Sequence, residues 1–115
     1  MLSKSNPLYV KSDMLARNVY DVLTSFPKYE LYGLSSQLRR SALSVVLNIV
    51  EGFARQGPNE FRRFLIISFG SLEETRYLLE FSLRQKYLDE LKFNQLINNV
   101  DEVARILWSI IHSKQ

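Results

Sequence analysis

The chain has no cysteine. That excludes a disulfide framework, a thiolate metal site and a cysteine nucleophile, and it suits a reducing cytoplasm. Histidine occurs once, as His112, so neither a Ser-His-Asp triad nor the paired Glu-x-x-His motifs of di-iron bundles can be assembled. Glu51, Glu73, Glu74 and Glu80 without imidazole make a poor transition-metal site, and neither a metal nor a cofactor is expected. Glycine and proline are also scarce, four and three residues, and no stretch alternates polar with apolar residues between turn signals, so a β fold is not expected. Gly52, Gly57 and Gly70 fit neither phosphate-binding glycine fingerprint. No uncharged run approaches the ~20 residues that span a bilayer. Lys4, Lys11 and Asp13 interrupt the beginning before it acquires a signal-peptide core. The expectation is a soluble, cytoplasmic, non-enzymatic protein without a membrane partner.

What is present is helical periodicity. With 115 residues and 46% apolar composition, the sequence suffices for one domain with its own core. Leu15, Val19, Val22 and Phe26 mark a helix over about 8–26, capped by Asn6 or Ser12 and stopped by Pro27. A second helix is expected over about 35–55, begun by Ser35 or Ser36. It carries one stripe through Leu38, Ala42, Val45, Ile49 and Phe53 and another through Leu43, Val46, Leu47 and Val50. An all-round apolar helix is buried all round, which in so small a protein calls for a second subunit. Gln56-Gly57-Pro58-Asn59 is a tight turn, with Gly57 ending one helix and Pro58 starting the next.

The third helix, about 58–86, repeats every seven residues through Phe61, Leu65, Ser68, Leu72, Thr75, Leu79 and Ser82, the pattern of a bundle seam. Gly70 interrupts it at a cost of roughly 1 kcal/mol against alanine, which close helix–helix approach is expected to offset. The fourth helix, about 89–111 with Asp89 as cap, turns Leu96, Val100, Val103, Leu107 and Ile110 inward. Trp108 is expected against a loop at one end of the bundle. The fold class is therefore all-α: a single up-down-up-down antiparallel four-helix bundle that is oligomeric.

Two polar features stand out. Between residues 39 and 63, five arginines face two glutamates, an excess equal to the chain's whole net charge of +3. Arg39, Arg55, Arg62 and Arg63 are the candidates for contact with RNA or DNA phosphates. Inside apolar helix lie Asn48 with Glu51 and Ser71 with Glu74, each three apart and so on one face. With Arg40 and Ser44 they form a candidate polar network, in which an Arg40–Glu74 contact is feasible. Two readings stay open: a hydrogen-bond network that fixes register and oligomeric state, or a polar ligand pocket. A structural or protein-adaptor oligomer without nucleic-acid binding is the alternative to the phosphate-binding reading.

The run Gln37-Leu38-Arg39-Arg40-Ser41-Ala42 is followed by Ser44-x-x-x-Asn48-Ile49-x-Glu51-Gly52-Phe53-x-Arg55. Then come Glu60-Phe61-x-x-Phe64-Leu65 and Gly70-Ser71-Leu72-x-Glu74, flanked by Phe26-Pro27 and Leu107-Trp108. Together these resemble the bacterial proteins encoded in intervening sequences of 23S ribosomal RNA genes, the S23 family. Val50 stands where that family usually has alanine, and Val45-Val46-Leu47 where it often has Ile-Pro-Ser. The resemblance implies a four-helix bundle that assembles as a homopentamer, with no established enzymatic activity. It also implies kinship with the accessory variability protein of diversity-generating retroelements, a basic bundle that binds nucleic acid. The number five comes from the resemblance alone.

Overall fold

The structure, a computed structural model, describes residues 2–113. Four long helices account for most of it: α1 Pro7–Leu23, α2 Leu34–Ala54, α3 Pro58–Arg84 and α4 Glu90–Ile111, with no strand among the described residues. Packing runs in a closed circuit, α1 on α2, α2 on α3, α3 on α4 and α4 on α1, with α2–α3 the most extensive pair. The 27 residues of α3, about 40 Å at 1.5 Å each, nearly span the 45 Å long axis.

Each helix ends for a local reason. At α1, the Asn6 side chain accepts the Leu8 N–H at 2.9 Å and Pro7 occupies the first helical position. The same helix stops at Leu23, three residues before the expected Phe26. There the Thr24 and Ser25 hydroxyls take the carbonyls of Asp21 and Val22, and the backbone tightens into i→i+3 bonds.

Neither Ser35 nor Ser36 caps α2. Glu30, on the 3₁₀ turn Lys28–Glu30, does so from four residues upstream, its Oε1 accepting the Leu34 N–H at 3.0 Å. A Cβ on Gly33 would stand 2.7 Å from that oxygen, so this cap depends on the glycine. Glu30 Oε2 accepts the Tyr87 hydroxyl at 3.0 Å, Tyr87 also meets Tyr29 at 3.0 Å, and Phe26 packs on the Tyr87 ring. The α1–α2 and α3–α4 connections are thereby tied together.

Gly57 enters α3 with φ 93°, a glycine conformation. Beyond Arg84, Lys86 is left-handed at φ 65°. The Tyr87 N–H reaches the Ser82 carbonyl and the Lys86 N–H reaches that of Leu83, both at 2.9 Å, which makes a Schellman cap two residues earlier than expected. Asp89 caps α4 by accepting the Lys92 N–H at 2.8 Å.

One continuous core runs through all four helices, with Leu15, Leu38, Ile49, Leu65, Leu72, Leu79, Leu96 and Leu107 among its closed side chains. On α4, Ile111 is buried in preference to Ile110. The α3 seam alternates leucine with small hydroxyls: Ser68, Thr75 and Ser82 are fully buried between Leu65, Leu72 and Leu79. Ser68 Oγ donates to the Val45 carbonyl at 2.7 Å, Thr75 Oγ1 donates to the Ser71 carbonyl and meets the Ser41 hydroxyl, both at 2.9 Å, and Ser82 Oγ donates to the Leu78 carbonyl. Among the described residues every buried side-chain nitrogen and oxygen has a partner, as a buried polar seam requires.

Close backbone approach occurs at Gly52 and not at Gly70. A Cβ on Gly52 would lie 3.2 Å from Phe64 Cβ and 3.3 Å from the Phe61 carbonyl oxygen, whereas one on Gly70 meets nothing within 4 Å. The cost of a glycine inside α3 is therefore not offset by contact within the chain.

Candidate functional site

The polar residues singled out on α2 and α3 line an open groove of about 430 Å³. Its floor is Ser44, Asn48 and Ser71. The Ser44 and Ser71 hydroxyls meet at 2.7 Å, and Asn48 Nδ2 donates to the Ser44 carbonyl at 2.8 Å and to its hydroxyl at 3.0 Å. The network thus forms around Ser44, Asn48 and Ser71, and extends to Ser41 and Thr75, which the spacing argument left out. Arg40 and Glu74 stand on the groove walls without pairing to each other within 4 Å, so the feasible contact between them is not made. Nor does Glu51 belong to the network. One turn before Arg55, it takes that guanidinium at 3.0 Å on the exposed surface.

The arginines divide. Arg39 Nη2 donates to the Leu31 carbonyl at 3.2 Å, holding the α1–α2 connection. Sixteen residues before Arg55 on the same helix, it lies about 24 Å from it and belongs to no cluster with the others. Arg55 and Arg63 both lie over the Phe64 ring, 5.0 and 5.2 Å from its centroid, a cation–π arrangement. Arg63 also meets Glu60 at 3.3 Å. Arg62 Nε donates to the Ile111 carbonyl at 2.9 Å, satisfying an end carbonyl of α4. One end of the molecule thus holds three exposed guanidiniums around the turn.

Arg76 was not foreseen. It bridges Glu73 on its own helix and Asp101 on α4, at 3.4 and 2.9 Å. Burial alone would lower its pKa, but the Asp101 hydrogen bond and the two carboxylate charges outweigh this and raise it. Trp108 is also misplaced by the sequence. It lies on the outside of the bundle, 55% exposed, against Phe69 and His112. Among the described residues no group of three or more acidic or histidine side chains is placed to hold a metal ion, and no helix is long and apolar enough to cross a membrane.

Apolar side chains remain uncovered beside the groove. Leu47 is 62% exposed, and Leu43, Val50 and Ile67 are also open, as is Ile66 on the α4 side of α3. The second apolar stripe of α2 is therefore open at Leu43, Leu47 and Val50 and only half-buried at Val46.

These features define the molecule as an all-α helical bundle with a polar groove on one face and a guanidinium cluster at one end. Residues 4–109 match the family model described as 23S rRNA-intervening sequence protein, and the chain belongs to that family. A solved structure from Bacteroides thetaiotaomicron, described as a protein with unknown function from the S23 ribosomal protein family, is similar to it. The TM-score is 0.83 at 28% identity, over 92% of this chain and 99% of the other. No curated protein matches the sequence.

Proposed function

We propose that this protein is a non-enzymatic, cytoplasmic, antiparallel up-down-up-down four-helix bundle that assembles with copies of itself and presents arginines to the phosphates of RNA or DNA. Thr75 meeting Ser41 while Ser68 meets Val45 supports the antiparallel arrangement. The uncovered Leu43, Leu47, Val50, Ile66 and Ile67 support self-association; a count of five rests on the family resemblance.

The observation that carries the phosphate-binding reading is the exposed trio Arg55, Arg62 and Arg63 at one turn. Their partners leave most of the donors available. Each guanidinium has five N–H donors, and the Glu51 and Glu60 pairs are exposed i,i+4 and i,i+3 contacts of a kind worth only about 0–1 kcal/mol. A phosphate can replace them at little cost, and an oligomer multiplies the cluster.

The test is filter binding of RNA and DNA at two salt concentrations. Binding should weaken steeply with salt, and reversing Arg62 and Arg63 to glutamate should abolish it while sedimentation shows an unchanged assembly. Binding that is absent at low salt, or indifferent to salt, removes the reading. A second reading, a purely structural or adaptor oligomer, is favoured by the Arg62 bond to the Ile111 carbonyl; it expects the same reversal to break the assembly.

A further inference from the structure

The α3–α4 face holds a cleft of about 230 Å³ lined by Arg62, Ile66, Phe69, Trp108, Ile111 and His112. Drug-sized ligands occupy pockets of roughly 300–1,000 Å³, so this one has the scale of a single planar ring. Its dominant wall is the only tryptophan of the chain. The Trp108 indole packs on the His112 imidazole, centroids 3.8 Å apart and planes 31° from parallel, and on Phe69 at 5.7 Å. The His112 ring is itself fixed, its Nδ1 3.0 Å from the Trp108 carbonyl. Because a carbonyl only accepts, Nδ1 carries the proton and Nε2 remains for another partner. The indole is thus oriented by two neighbours and still more than half exposed.

Beside this aromatic wall stands Arg62, which uses Nε to hold the Ile111 carbonyl at 2.9 Å. That bond fixes the guanidinium while its two terminal nitrogens keep their N–H donors. Arg63 follows it in sequence and shares the Phe64 ring with Arg55. An anchored, exposed indole beside a positive cluster is the pairing that single-stranded nucleic acid requires, with one surface to stack a base and donors to take the adjoining phosphates. A duplex keeps its bases stacked on each other and offers the indole nothing.

We propose that Trp108 is a base-stacking platform, and that the nucleic acid this protein takes is single-stranded, with one base against the indole and the neighbouring phosphates on Arg62 and Arg63. This rests on the phosphate-binding reading and narrows it to one class of strand. Hydrogen bonding to base edges has no part in it, so sequence preference should be weak.

The experiment titrates the full chain with a single-stranded oligodeoxyadenylate while following the emission of Trp108, with filter binding of the same strand in parallel. Stacking quenches the indole. The Trp108→Ala variant should bind about tenfold more weakly or worse, with an unchanged dependence on salt, whereas Trp108→Phe should recover part of the loss. The Arg62→Ala variant should instead reduce the salt slope by about one. A duplex of the same length should bind without quenching. Circular dichroism and sedimentation of each variant exclude unfolding as the cause of a loss. Salt-dependent binding without quenching, with Trp108→Ala equal to the native chain, overturns the platform and leaves the phosphate reading standing. No binding at low salt overturns both. An indole already shielded from acrylamide in the unliganded assembly also overturns the platform, since another subunit then covers it.

Discussion

Replacing Gly70 with alanine should stabilise the folded chain, and the sign of that change tests what faces the middle of α3. A glycine inside a helix costs roughly 1 kcal/mol relative to alanine, because it surrenders more backbone freedom on folding. The added methyl group has open space, with no atom within 4 Å, so no steric term opposes the gain. The expected increase is about 0.5–1 kcal/mol, or roughly 4 °C in Tm for a chain of this length.

The same change at Gly52 supplies the internal comparison. Its methyl would stand 3.2 Å from Phe64 Cβ and 3.3 Å from the Phe61 carbonyl, and the backbone of α3 has little room to move aside. Gly52→Ala should therefore realise less of the propensity gain than Gly70→Ala. Guanidinium denaturation followed by circular dichroism measures both, over a dilution series, because a self-associating chain has a stability that depends on concentration. If a neighbouring subunit packs on Gly70, its methyl weakens assembly, and this shows in sedimentation and only above the association threshold. A lowered midpoint for Gly70→Ala at every concentration, with assembly unchanged, would refute the argument from helix propensity and open space.

Three further outcomes are expected. Thr75→Val keeps the shape of a fully buried side chain but removes its bonds to Ser41 and Ser71; urea midpoints should show a loss of about 1 kcal/mol, and a neutral result would mean that the hydroxyl ladder contributes nothing. Lys86→Gly relieves the left-handed residue of the Schellman cap and should raise stability by about 1 kcal/mol in thermal melts; destabilisation would show that the lysine side chain is needed there. The Tyr87 hydroxyl is pushed up to about 12 by its hydrogen bond to Tyr29, by burial and by Glu30. The folded chain therefore keeps this proton where the unfolded chain, near 10, has lost it. The contribution of this cluster is complete below pH ~10 and disappears as the pH rises through about 12. Melts across alkaline pH should fall less steeply in Tyr87→Phe, and identical slopes would contradict the assignment.

The seam of α3 was legible because period seven is a global property of the helix: Leu65, Ser68, Leu72, Thr75, Leu79 and Ser82 are buried as expected, and only Phe61, in the first turn, is no more than partly covered. Ser44 and Ser71, grouped by the sequence in one candidate network, do meet across α2 and α3. What escaped was decided by competition between local partners. Glu51 lies three residues from Asn48 and four from Arg55, and spacing cannot say which partner wins; the charged one did. Ser35 has the chemistry of a cap, but Glu30 reaches Leu34 first, through space that Gly33 leaves open by having no side chain. Trp108 was assigned to packing because tryptophan is mostly buried on average, and no signal in the α4 periodicity separates an indole on the flank from one under a loop. The arginine cluster was half legible: the turn gathers residues 55, 62 and 63 by proximity in sequence, whereas Arg39 shares only the helix and lies too far along it.

The alternation of leucine with hydroxyls along α3 bears on which folds the chain avoids. A seam of leucines alone tolerates sliding, since one heptad looks like the next and a shift of about 10 Å returns leucine to leucine. Here the hydroxyls Ser68, Thr75 and Ser82 share that period, so the seam alone does not forbid the shift; what it breaks are contacts outside the repeat, the Ser71 bond to Ser44 and the fit of Phe64 against Gly52. A hydroxyl left dry costs about 1–3 kcal/mol, a large fraction of the stability of a small domain. The misaligned hairpin is therefore a high-energy competitor, and the landscape around the correct alignment is steep on both sides. In mechanical terms α2 and α3 behave as a toothed pair and not as a greased one: pulled along their common axis they should hold without creep and then part in a single step.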